Sequence, residues 1–173
     1  DTTLETWKRA IPADLYVIKE GDKEIVIDDT LKICYGGLDD EKDVRKFNSA
    51  EFALVCIDQA EETSRDDIAM LRGTLRLTYK KQPMPHKLLL TANPSECWLK
   101  DDFISRQTPS RQFVQALPSD NEHIDHVAYI EQLKEAFKHR PELVEAYVYG
   151  SWDKITGFDY VMSRPAIVKA FNT

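Results

Sequence analysis

The rhythm of apolar and polar positions changes near residue 50, and each half predicts a different kind of structure. Residues 3–10 read as a short helix ended by Pro12. Leu15-Tyr16-Val17-Ile18 and Glu24-Ile25-Val26-Ile27 flank the Gly21-bearing loop Lys19-Glu20-Gly21-Asp22-Lys23, the pattern of an antiparallel hairpin near the N-terminus. Leu31-Lys32-Ile33-Cys34-Tyr35 alternates and stops at Gly36-Gly37, as a further strand would. Residues 36–49 are charged and turn-like.

Beyond that point the apolar residues form blocks. Phe52-Ala53-Leu54-Val55-Cys56-Ile57 is a continuous apolar run, as expected of a strand buried on both faces of a parallel sheet. Ser64-Arg65-Asp66-Asp67 has the form of a capping box, with Ile68, Leu71 and Leu75 following at helical spacing. After Pro83-Met84-Pro85, Leu88-Leu89-Leu90-Thr91-Ala92 reads as a second buried strand, and Phe113-Val114-Gln115-Ala116-Leu117, ended by Pro118, as a third. Val127, Ile130, Leu133 and Phe137 share one arc of a helix over roughly 127–139. Pro141 opens another helix that Gly150 stops. Strands alternating with helices predict an α/β fold built as a three-layer, mostly parallel sheet. Residues 153–173 show weak periodicity.

Composition narrows the class. At 173 residues the chain fits one ordinary domain, and 42% hydrophobic residues support a packed core. The longest apolar run is six residues, too short to cross a bilayer, so no membrane association is expected. The N-terminus, Asp1-Thr2-Thr3-Leu4-Glu5-Thr6-Trp7, lacks the basic and apolar regions of a secretory signal. Cys34, Cys56 and Cys97 stand far apart, without C-x-x-C pairing, and read as reduced thiols. The net charge of −7 repels phosphates and disfavours free DNA binding by the chain alone. Arg72, Arg76, Lys80, Lys81 and Lys87 are the densest basic cluster, readable as a solvated face or as a local basic patch.

The segment with most chemical content is Leu54-Val55-Cys56-Ile57-Asp58-Gln59-Ala60-Glu61-Glu62. A hydrophobic strand ending in Asp, with carboxylates close behind, is the form of a Walker B element. The strand would aim Asp58 out of the C-terminal edge of the sheet, where it can hold Mg²⁺ against nucleotide phosphates. An Asp that merely starts a loop and caps a helix has the same appearance. Thr91-Ala92-Asn93-Pro94 ends the next strand, and polar groups there could meet a γ-phosphate or its attacking water, or form an ordinary Asn-Pro turn. His86, His123, His126 and His139 belong to no metal or nucleophile motif, and no G-x-S-x-G elbow occurs.

Together several segments resemble the ATPase domain of the tailed-phage terminase large subunit, the DNA-packaging motor. They are Thr2-Thr3-Leu4-Glu5-Thr6-Trp7-Lys8-Arg9, Gly37-Leu38-Asp39-Asp40, Lys46-Phe47-Asn48-Ser49, and Ile57-Asp58-Gln59-Ala60-Glu61-Glu62. Further on come Leu90-Thr91-Ala92-Asn93-Pro94, Trp98-Leu99, Ala116-Leu117-Pro118-Ser119-Asp120-Asn121 and Tyr149-Gly150-Ser151-Trp152-Asp153. The resemblance implies a P-loop-NTPase-like sheet of the additional-strand, catalytic-glutamate class. Asp58 then matches the Walker B aspartate that helps hold Mg²⁺. Thr91, Ala92 and Asn93 match the motif that couples hydrolysis to movement, with Thr91 and Asn93 sensing the γ-phosphate. Arg45 and Lys46 lie where some terminases place an arginine finger.

Two departures qualify what the resemblance implies. The family's catalytic Glu after the Walker B aspartate is Gln59 here, a neutral amide that orients water but accepts no proton at pH 7. Glu61 or Glu62 would have to substitute, or Gln59 marks a slow or inactivated site. No G-x-x-x-x-G-K-[ST] occurs in the chain, so the triphosphate lacks its main backbone cradle. The expectation is therefore an incomplete sheet: residues 1–152 as a partial ATPase domain after the P-loop, and 153–173 as the start of a linker toward an absent nuclease domain. In the complete parent protein the cofactors would be Mg²⁺ and ATP, neither bound tightly by this chain alone, which should have little or no ATPase activity. The implied partners are a homo-oligomeric ring, the small terminase subunit, the portal protein and double-stranded DNA, in the cytoplasm of a bacterial host. A stand-alone, non-catalytic interaction or scaffold domain derived from such an ATPase is the other reading, and an unrelated α/β domain a third.

Overall fold

The computed structural model describes residues 2–38, 44–106 and 108–153, in two compact units that meet in sequence between Phe47 and Asn48. The first opens with helix α1 (Thr2–Ala10), whose Glu5 lies in the first turn and Lys8 and Arg9 in the last, each sign suiting its end of the helix dipole. Strands β1 (Tyr16–Lys19), β2 (Glu24–Ile27) and β3 (Leu31–Cys34) form an antiparallel meander in the order β1-β2-β3. The hairpin read from the sequence is thus two-thirds of a three-stranded sheet, and the alternating run at 31–35 is its third strand. Trp7 meets Tyr16 edge-to-face with ring centroids 5.8 Å apart. Ile25 and Val44 supply buried apolar volume.

Glu24 organises the polar side of this meander. Its carboxylate accepts from Lys32 Nζ at 3.0 Å, a diagonal pair across β2 and β3, and it lies 4.0 Å from Cys34 Sγ. The carboxylate beside it raises the Lys32 ammonium above its usual pKa. Burial first, and the Glu24 charge second, raise the Cys34 thiol.

The second unit is a β–α–β arrangement. Strand β4 (Leu54–Ile57) runs parallel to β7 (Lys87–Leu90), with Leu54 opposite Lys87 and Ile57 opposite Leu90. Between them lies helix α2 (Arg65–Gly73), started by the full capping box: Ser64 accepts from the Asp67 amide while the Asp67 carboxylate accepts from the Ser64 amide. The chain then returns to the base of β4, where Thr74 O accepts from Phe52 N and Phe52 O from Leu77 N. That return ends the helix at Gly73, so Leu75 falls beyond it. A small hairpin, β5 (Thr78–Tyr79) and β6 (Gln82–Pro83), precedes β7. After a π-helical segment (Lys100–Ser105) come helices α3 (His126–Ala136) and α4 (Pro141–Tyr147). Pro141 does open α4, and Gly150, at φ +64°, turns the chain after it.

Three expectations are corrected. The run 52–57 is not buried on both faces. Ile57 is buried, but Leu54 is 53% exposed and Leu89 on the neighbouring strand 55%. Among the described residues no element covers that face, and continuous apolarity reports composition rather than two-sided burial. Residues 113–117 form no strand, because an extended segment becomes one only with a ladder partner. Here the Leu117 backbone amide donates to the Asp120 carboxylate, the Gln115 side-chain Nε2 reaches Gly150 O, and Val114 is 72% exposed. A cavity of about 380 Å³ separates this segment from β7, lined by Leu88, Leu90, Phe113, Leu117 and Trp152 among others. Third, Val127 belongs to the exposed side of α3. The molecule is a mixed α/β protein with an antiparallel meander and a small parallel sheet. Asp39, Asp40 and residues 154–173 lie outside the described residues, and with them nearly all of the expected linker. Among the described residues, no helix is long and apolar enough to cross a membrane.

Candidate functional site

Parallel strands carry their C-terminal ends to the same edge of the sheet. The β4–β7 register therefore brings the residue after Ile57 beside the residue after Leu90. These are Asp58 and Thr91, and the Thr91 hydroxyl donates to Asp58 Oδ1. The backbone fixes the pair from below: Thr91 N donates to Ile57 O at 2.9 Å. Both side chains stand at the exposed edge.

Gln59 sets the course of the next residues. It takes the left-handed conformation, φ 54° and ψ 45°, which costs a non-glycine residue about 1–2 kcal/mol. The turn so made lets Ala60 N donate to Thr91 O at 2.9 Å and packs Ala60 completely out of solvent at the head of a short 3₁₀ turn. One residue further, the Glu61 carboxylate faces the second loop. Its Oε1 accepts from both the backbone N–H of Asn93, at 3.2 Å, and the Asn93 side-chain amide, at 3.1 Å. Its Oε2 is buried and has no hydrogen-bond partner among the described residues. A buried carboxylate oxygen in that condition calls for a cation or a hydrogen-bond donor. Glu62 is exposed and belongs to the same 3₁₀ turn.

A third connection closes the arrangement. Trp98 Nε1 donates to Thr63 O at 2.7 Å, while the Thr63 hydroxyl donates to Ala60 O. Besides the Ala60–Thr91 backbone bond, loop 58–63 is thus joined to loop 91–98 by three successive side-chain pairs: Asp58–Thr91, Glu61–Asn93 and Thr63–Trp98.

The structure therefore brings together Asp58, Glu61, Thr91 and Asn93, with Gln59 as the turn between the first two. Glu61 and Glu62, interchangeable on sequence, are distinguished by geometry, since Glu61 makes the contact to Asn93. Trp98 escaped the reading of individual residues. Its signal was an indole at the start of a helical turn with no apolar stripe to join. Arg45 and Lys46 are exposed residues of the first unit.

Chemically, the pair at the strand tips offers hard oxygen donors, one carboxylate and one hydroxyl. Among the described residues no group of three or more His, Cys, Asp or Glu could hold a metal by itself. Hard oxygen donors of this kind suit a cation such as Mg²⁺, which nucleotide sites hold through one or two protein groups with substrate phosphates and water supplying the rest.

Fold and edge together define an α/β protein whose polar groups converge on the C-terminal end of a parallel strand pair, the usual place for a ligand in open α/β sheets. A family model described as phage terminase large subunit matches residues 7–150, and the chain belongs to that family. No curated protein and no solved structure matches it.

Proposed function

We propose that the chain supplies the metal-holding and coupling half of the nucleotide site of a DNA-packaging terminase motor. The carrying observation is the joined edge: Asp58 bonded to Thr91, and Glu61 bonded to Asn93, across the tips of adjacent parallel strands. In this reading Asp58, with the Thr91 hydroxyl beside it, holds Mg²⁺. The bound Mg·ATP supplies the reactive phosphoryl group and charge neutralisation. Glu61, rather than Gln59, is the carboxylate able to take a proton, because an amide accepts none at pH 7. Asn93, held by Glu61, and Thr91, held by Asp58, report the state of the site to the loop that follows them. Arg45 and Lys46 remain candidates for a finger acting on a neighbouring subunit of the ring. Portal, small subunit and double-stranded DNA are the partners of this reading, and a bacterial cytoplasm its setting.

The absence of G-x-x-x-x-G-K-[ST] from the sequence leaves the chain alone without its triphosphate cradle, so by itself it should not turn over ATP. Paramagnetic Mn²⁺, added with ATP, tests the site directly. Broadening should centre on the amides of Asp58, Thr91 and Asn93 and disappear in Asp58→Asn. Broadening that survives this substitution sinks the assignment, and ATP turnover lost in Asp58→Ala sinks the claim that the isolated chain is inactive.

The exposed Leu54 and Leu89 favour a second reading, a non-catalytic interaction domain that associates through this apolar face. Sedimentation of the wild type beside Leu54→Glu decides it. Self-association lost in the variant, together with no Mn·ATP broadening, would put that reading first.

A further inference from the structure

The chain is acidic overall, yet residues 68–95 contain Arg72, Arg76, Lys80, Lys81 and Lys87 and no Asp or Glu. The β5–β6 hairpin lies in the middle of this stretch, with Tyr79 opposite Gln82 and Lys80 and Lys81 as the two turn residues. Both lysines adopt positive φ, 50° and 64°. A two-residue turn of that geometry favours Asn-Gly, since Asn and Gly tolerate the left-handed region while a long side chain does not. Two neighbouring ammonium groups also repel each other there. Local structure therefore argues twice against Lys-Lys at this tip. The turn at Asp28 and Asp29, also at positive φ, uses the short polar residues such positions favour.

The surroundings give the charges a direction. Lys80 Nζ stands 5.0 Å from the centre of the exposed Tyr79 ring. At the base of the hairpin, His86 Nε2 and the Met84 amide bond to Leu77 O, anchoring it to the segment that pairs with Phe52. Arg76 is drawn away from the tip by Glu51, 3.5 Å off, and by the carbonyls of Gly73 and Asn48.

We propose that this hairpin is a contact for the phosphate backbone of duplex DNA, made by Lys80 and Lys81 without reading sequence. A two-stranded ribbon with paired cations at its tip fits the width of a major groove and reaches the phosphates at its rim. The proposal deepens the motor reading and rests on it for the identity of the nucleic acid. It does not use the nucleotide edge, so the two fail separately.

Anisotropy of a labelled mixed-sequence duplex, titrated with the chain at low salt and again over a salt series, is the test. Lys80→Asn with Lys81→Gly removes both charges while giving the turn its favoured residues, so the hairpin should fold at least as well. This double variant should bind on the order of tenfold more weakly, with the slope of log K against log salt reduced by about 2. Lys80→Glu with Lys81→Glu should weaken binding further. Wild-type affinity in the Asn-Gly variant would overturn the proposal, as would a wild type that does not bind duplex at low salt. So would equal binding to vesicles containing phosphatidylserine, which would make the tip a general polyanion contact. Loss of Mn·ATP broadening with DNA binding intact would remove the nucleotide reading and leave the hairpin standing.

Discussion

The antiparallel meander and the parallel pair satisfy the same backbone groups by different routes. In the meander each strand pairs with its neighbour in sequence, and short turns alternate between the two ends of the sheet. Its tips therefore bring together only residues already close along the chain, such as Asp28 and Asp29. The parallel pair needs the long crossover through α2 and the basic hairpin. In return both its tips lie at one edge, and residues more than thirty positions apart, Asp58 and Thr91, become bonded neighbours. Shared direction of strands is what makes neighbours of two segments that lie far apart in the sequence.

The largest effects should come from emptying each sheet's core. Ile57→Ala and Ile25→Ala both truncate nearly inaccessible side chains, and each should cost about 2–5 kcal/mol. Amide hydrogen exchange should show protection lost in β4 and β7 for the first and in β1 to β3 for the second. Equal loss in both sheets from either variant would erase the contrast. Gly150→Ala should come next, at about 1–2 kcal/mol in thermal or urea unfolding, because its positive φ disfavours a side chain. The new Cβ would also lie 2.5 Å from Gln115 Nε2.

Trp98→Phe keeps an aromatic ring near Phe103 but deletes the donor to Thr63 O, for a loss of about 1 kcal/mol. Faster exchange in loop 91–98 with β7 unchanged would locate that loss at the site. The smallest effect is alkaline and belongs to the meander. Lys32 and Cys34 both have raised pKa values in the folded chain, so their contribution is complete at neutral pH. It is lost as pH climbs past the ordinary thiol value of 9.0 and then the ordinary lysine value of 10.5. A melting temperature of the meander that stays level from pH 8 to 11 would contradict those two shifts.

Short-range signals made much of this legible in the sequence. The capping box at Ser64–Asp67, the Pro141 start and the three meander strands each depend on residues within a few positions of one another. Asp58 and Thr91 were readable as strand-tip residues because a strand's end is local too. That they bond, and that Glu61 rather than Glu62 meets Asn93, depends on register and on the left-handed turn at Gln59. No periodicity encodes these. The segment 113–117 misled for the complementary reason. Its five residues have strand composition, but a strand is a relation between two segments, and the cavity beside β7 separates this one from the neighbour it would need.

The three pairs joining loops 58–63 and 91–98 also bear on how the site assembles. Their partners lie 33, 32 and 35 residues apart, and the β4–β7 ladder with the Thr91–Ile57 backbone bond closes the loop between them. Once the two strands are paired, each of the three forms at little further loop-closure entropy. Loss of the strand pairing should therefore release Asp58–Thr91, Glu61–Asn93 and Thr63–Trp98 together, as one clasp hung on β4 and β7.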